Sequence, residues 1–125
     1  EIKPDYDLDL MSKNQTLERL TSKILIGVSD LIKTIKPNIL FVQGDTTTAM
    51  VSSLAAFYQK IPVAHIEAGL RTNNKYSPFP EEINRKIISS IASARPSLIV
   101  LLIASTANGP EEAMSEANSI ALCKS

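Results

Sequence analysis

Two short apolar runs, each fenced by helical periodicity, constrain this chain more than any other feature. Ile39-Leu40-Phe41-Val42 sits within a run from Asn38 to Gln43 that shows no polar–apolar alternation, and Pro62 to Ile66 is a second such run. Unbroken apolar segments of this length predict strands covered on both faces. Before the first run, Leu17, Leu20, Ile24, Val28, Leu31 and Ile35 recur at steps of three or four, a helical stripe that Pro37 stops. Ser12 stands three residues before Gln15, the spacing of a capping box, so a helix is predicted from about Gln15 to Lys36. Asp5 to Leu10 reads as an extended lead-in to it.

Between the runs, the threonines at 46–48 can cap a helix that continues to about Gln59 through an alanine-rich interior. Glu81 to Ser93 predicts another helix, with two carboxylates in its first turn and Ile83, Ile87, Ile88 and Ile91 as its apolar side. Ser97 to Ile103 is a further candidate strand. Helices separating short buried strands imply right-handed crossovers and a parallel sheet with helices on both faces. The predicted class is α/β, a three-layer Rossmann-like parallel sheet. Open sheets of this class bind ligands beyond the carboxyl ends of their strands, which directs attention to the residues after each run.

Composition narrows the partners. Thirteen basic and thirteen acidic side chains cancel, so no positive field argues for nucleic acid or an anionic membrane. A single cysteine, Cys123, excludes an internal disulfide, and no Cys/His cluster has metal-ligand spacing. The longest apolar run, Leu98 to Ala104, is far shorter than the roughly 20 residues of a membrane helix. The first twenty residues, with Asp5, Asp7 and Asp9, do not resemble a signal peptide. These features predict a cytoplasmic, soluble domain.

Three polar clusters fall on one rim of the predicted sheet: Gly44-Asp45-Thr46-Thr47-Thr48, Glu67-Ala68-Gly69-Leu70-Arg71-Thr72, and Pro78-Phe79-Pro80-Glu81-Glu82-Ile83-Asn84-Arg85. Each has a structural reading beside a chemical one. Asp45 could cap the helix that follows it, Glu81 and Glu82 suit a helix N-terminus, and Glu81 and Arg85 have the spacing of a surface pair. His65, the sole histidine, reads as a packed side chain hydrogen-bonded at the sheet edge rather than a catalyst. Together the acids, with Arg71 and Arg85 nearby, suit proton transfer next to an anionic leaving group. Neither G-x-G-x-x-G nor G-x-x-x-x-G-K-[ST] occurs, so dinucleotide and P-loop fingerprints are missing.

The strings PDYDLDLM, QGDTTTAMVSSLAAFYQKIPVAHIEAGLRT and YSPFPEEINR closely resemble the non-hydrolysing, bacterial-type UDP-N-acetylglucosamine 2-epimerase family, over about residues 4–93. The resemblance implies a partial N-terminal domain of a two-domain glycosyltransferase-B-type fold, with the site in the cleft between domains. It implies inversion at C2 of UDP-GlcNAc to give UDP-ManNAc, by elimination of UDP and its re-addition, without a cofactor or metal. Asp45 matches the aspartate of the GDT motif, Glu67 the glutamate of EAGLRT, and Glu81 the first glutamate of PEE. These are the family's catalytic carboxylates, and Arg85 matches a substrate-binding arginine. Gln15 matches a glutamine of the allosteric site that holds a second UDP-GlcNAc, although Asn14 stands where that site often has arginine. The resemblance also implies a homodimer of full-length subunits.

The pattern lapses after Ser93. Residues 1–93 are expected to be part of the epimerase domain, and residues 94–125 a divergent tail arising from a frameshift or mis-splicing. The expected activity of the lineage is epimerisation, with the 125-residue chain inactive alone. The competing expectation is a catalytically silent remnant, at most an interaction module.

Overall fold

A computed structural model describes residues 4–66, 71–93 and 121–123 of the chain. The first helix, α1, spans Leu17–Ile35. It begins a little later than the capping-box spacing predicts. The Ser12 N–H does reach Gln15 Oε1 at 3.1 Å, but this contact lies ahead of the helix. The cap is Thr16, whose hydroxyl accepts the Arg19 N–H at 3.4 Å. At the other end Lys36 turns left-handed (φ 52°), its N–H bonds Ile32 O at 2.8 Å, and Pro37 bars continuation.

The buried line of α1 is Ile24, Val28 and Ile32, at regular four-residue steps. Leu17 is exposed and Leu20 and Leu31 are only half-buried, which corrects the predicted stripe. The reason is the neighbour. Helix α2 (Thr47–Tyr58) packs along α1, and a ridge of four-residue steps is what a facing helix meets. Helix α2 buries Ala49, Val51, Ser52, Ser53, Ala55 and Ala56. Such small side chains let it lie close to α1 and to the sheet at once. The Gln59 amide, just past the end of α2, donates to Ser29 O at 3.0 Å and fastens the two helices.

The two apolar runs form β1 (Ile39–Gln43) and β2 (Val63–Ile66), paired in parallel with Leu40 opposite Val63 and Val42 opposite His65. Leu40 and Val42 are buried, whereas Ile39, Phe41 and Gln43 are half-buried. β1 therefore has one fully covered face, where the unbroken run had predicted two. A third strand, β3 (Ala121–Cys123), pairs antiparallel with β1, giving the order β2-β1-β3. The candidate strand at 97–103 lies outside the described residues.

Helix α3 (Glu81–Ile91) packs on α2 and β2. Its buried residues are Glu82, Asn84 and Ile88, while Ile83, Ile87 and Ile91 are half-buried. The isoleucine side predicted to face inward is thus only partly right. Two polar side chains take the most buried positions because they hold the rim of the sheet. Among the described residues no helix is long and apolar enough to cross a membrane.

Candidate functional site

The site is built where β1 ends. Gly44 turns the chain with φ 72°, a left-handed value that glycine adopts without strain. Its N–H bonds Ile66 O at 3.1 Å, and its carbonyl accepts from His65 Nε2 at 2.7 Å. A carbonyl only accepts, so Nε2 carries the proton. The buried His65 therefore serves as the predicted structural clasp between the ends of β1 and β2.

Asp45 follows, and it is not the cap of α2. Thr46 is, its hydroxyl accepting the Ala49 N–H at 3.1 Å. The Asp45 carboxylate turns instead to α3. Arg85 Nε donates to Asp45 Oδ2 at 2.8 Å, and Nη2 meets the same oxygen. Nothing among the described residues donates to Oδ1. The Asn84 amide donates to the Asp45 backbone carbonyl at 2.8 Å, so α3 grips this residue by both main chain and side chain. Arg85 is 11% exposed and Asp45 27%, a pair shielded enough for its geometry to be defined and open enough to reach solvent.

Glu82 was missed in sequence and is the centre of the second half of the site. It is fully buried. Oε2 accepts from the Thr72 N–H at 3.2 Å and from Arg85 Nη1 at 3.3 Å, while Lys86 Nζ stands 3.5 Å from Oε1. The Thr72 backbone hydrogen bond holds its carboxyl below the usual value; burial opposes this, and Lys86 and Arg71 reinforce it. The signal was present as Glu82, Arg85 and Lys86 at i, i+3 and i+4. The surface pair that the spacing of Glu81 and Arg85 allows is not formed, because Arg85 is turned towards Glu82 and Asp45. Glu81 is half-buried and makes no hydrogen bond or ion pair among the described residues.

The loop leading to α3 is tied to the same cluster. Arg71 Nη2 donates to Ser89 Oγ at 2.7 Å, and the Thr72 hydroxyl donates to Ser77 O. The structure thus brings Asp45, Glu82, Asn84 and Arg85 together, with Glu81 in the first turn of α3 on the same rim. Glu67 directly follows Ile66 in sequence and lies outside the described residues. Gln15 sits ahead of α1, its Oε1 taken by Ser12 and its buried Nε2 without a hydrogen-bond partner among the described residues. Among the described residues no group of acids, histidine and cysteine could hold a metal ion.

The sequence model of the UDP-N-acetylglucosamine 2-epimerase family matches residues 1–96. The UDP-N-acetylglucosamine 2-epimerase of Bacillus subtilis (strain 168) is 58% identical over 91 residues, which is 73% of this chain and 24% of that protein. The Campylobacter jejuni enzyme of the same name is 58% identical over 93 residues, 74% of this chain and 24% of its own length. Among solved structures, UDP-GlcNAc 2-epimerase from Neisseria meningitidis bound to UDP-GlcNAc superposes with a TM-score of 0.71 at 49% identity, covering 85% of this chain and 30% of that one. The Methanocaldococcus jannaschii UDP-GlcNAc 2-epimerase in complex with UDP-GlcNAc and UDP gives 0.68 at 40% identity, covering 74% and 24%. The chain spans about a quarter of the length of the curated relatives it matches. With a family match over most of its length and a fold shared with solved members, the chain belongs to the UDP-N-acetylglucosamine 2-epimerase family.

Proposed function

We propose that this segment, within a full-length subunit, serves the interconversion of UDP-N-acetylglucosamine and UDP-N-acetylmannosamine by inversion at C2. The observation that carries the reading is Asp45. It stands at the carboxyl end of β1, is relieved of capping by Thr46, and is held through one oxygen by Arg85 while the other has no donor among the described residues. A carboxylate so placed is a candidate for proton transfer.

In the reaction, a base takes the C2 proton as the C1–O bond breaks. UDP leaves with the bonding pair and 2-acetamidoglucal remains. UDP oxygen then re-adds at C1 while a proton reaches C2 from the opposite face. Asp45, Glu67 and Glu81 are the carboxylates proposed for the proton steps and for steadying positive charge at C1. Arg85, expected from sequence to bind substrate, serves the site by its bonds to Asp45 and Glu82. The ligand is the nucleotide sugar, with no cofactor. The balanced charge supports a protein without nucleic-acid or membrane partners. A cytoplasmic location and a homodimer of full-length subunits belong to the same proposal and follow from the family resemblance.

The test is solvent isotope incorporation. A full-length enzyme carrying this segment, given UDP-GlcNAc in D2O, is expected to place deuterium at C2 of product and recovered substrate. Product formed without deuterium at C2 would overturn the elimination route. The 125-residue chain alone is expected to show no exchange. Its described rim leaves Asp45 open to water, where charge stabilisation is weak.

A further inference from the structure

We propose that the edge of β1 facing away from β2 is a strand-docking surface for a second copy of this chain, and that β3 occupies it from within. The backbone directions define that edge. Leu40 N–H donates to Pro62 O at 2.9 Å, on the β2 side. Successive residues of a strand turn their N–H and C=O groups to opposite sides, so Ile39 and Phe41 offer theirs to the other edge. β3 meets them there, with Cys123 opposite Ile39 and Ala121 opposite Phe41. Among the described residues it is the one element beyond residue 96, where the family match ends, and the one antiparallel strand.

β1 carries nothing that would guard this edge by itself. Proteins blunt open strand edges with lysine, proline or a bulge. Ile39-Leu40-Phe41-Val42-Gln43 holds no charge and no proline, and it pairs with β2 and β3 in unbroken register. Such a segment pairs readily with another strand once its neighbour is gone. The direction of β3 identifies the competitor. The edge accepts an antiparallel neighbour, and that is how β1 of a two-fold-related copy would lie against it. The core of Ile24, Val28, Ile32, Leu40, Val51 and Ile88 is supplied by α1, β1, α2 and α3. Loosening three-residue β3 therefore opens the edge while leaving those helices and β1 packed.

The test makes Ile39→Cys in the 125-residue chain, whose only other thiol is Cys123. The two positions form a hydrogen-bonded antiparallel pair, about 5.5 Å apart at Cα, a span that a disulfide bridges. Under mild oxidation the variant is expected to give a within-chain 39–123 link by peptide mapping, at monomer mass by light scattering. Adding Ala121→Pro removes the N–H that faces Phe41 and loosens β3. The within-chain link should then fall by about fivefold or more, links between chains should replace it, and the mass should rise to that of a dimer. Ala121→Gly keeps the N–H and should shift the balance the same way by less. If Ala121→Pro does not fold, Ala121→Gly decides. Ile39→Lys combined with Ala121→Pro puts a charge on the edge and should return the mass to monomer. Ile39→Cys without a within-chain link overturns the proposal. So does an unchanged balance of links in the Ala121 variants, or a charged-edge variant that stays associated.

Discussion

Two helices begin on the same rim, and they begin differently. α2 caps itself: Thr46 satisfies the Ala49 N–H, and its first turn holds no acid. α3 has Pro80 at its cap position with no side-chain cap bond, and Glu81 and Glu82 in its first turn. In α2 the capping job is done by a neutral hydroxyl one residue after Asp45, which leaves that carboxylate to contact another element. In α3 the buried acid serves the preceding loop and the arginine one turn on, while Glu81 is left without a partner among the described residues. A helix start can therefore release an acid by supplying a separate cap, or by supplying a second acid to do the structural work.

The contrast predicts a ranked set of outcomes. The largest is kinetic. In a full-length enzyme carrying the segment, Asp45→Asn, Glu67→Gln or Glu81→Gln should each lower kcat by about 10²–10⁴-fold with smaller effects on UDP affinity. Steady-state kinetics with a UDP-binding titration checks this. Wild-type turnover in all three would mean that these acids are merely structural.

Next comes the packing beneath each start. Ile88→Ala, at a fully buried position of α3, should cost about 2–5 kcal/mol in denaturant unfolding. Half-buried Leu20→Ala should cost clearly less, and equal losses would mean that α1 is more enclosed than described.

A smaller effect tests the neutral cap. Thr46→Ala should destabilise by about 1 kcal/mol, the usual worth of a hydroxyl cap. Asp45 could take over the vacated role in that variant, so a loss of activity beyond the loss of stability would show the acid being drawn back to capping.

The mildest outcome concerns acid. The Glu82 carboxyl is held below its ordinary 4.5 by the Thr72 N–H. Folding then favours its ionised form. This contribution is complete above the unfolded value and drains away as pH falls below about 4.5 through the folded one. Glu82→Gln should flatten that part of the stability–pH curve, measured by thermal melts from pH 6 down to about pH 3. An unchanged slope would place the acid sensitivity elsewhere.

Much of the fold was legible because it rests on local rules. Pro37 and Pro62 mark where helix gives way to strand, and the two apolar runs pair in parallel as their lengths and the intervening helix suggest. What sequence misplaced depends on partners distant along the chain. The choice of Ile32 over Leu31 is made by α2, and the half-covered face of β1 by what packs on it. At the site, Asp45 and Arg85 were each picked out, but not their mutual bond across 40 positions. Glu82 escaped because a glutamate in a first helical turn is ordinary, and only its complete burial reveals a different task.

Gly44 carries one more consequence. A methyl group built on its α-carbon would meet nothing within 4 Å among the described residues, so they leave the position room. Its left-handed backbone, φ 72°, is what L-residues resist. The constraint at the entrance to the site is therefore one of chirality rather than volume. A mirror-image residue such as D-alanine, introduced by chemical ligation, should be accommodated where L-alanine strains the turn. Of the ordinary substitutions, asparagine should come nearest to being tolerated.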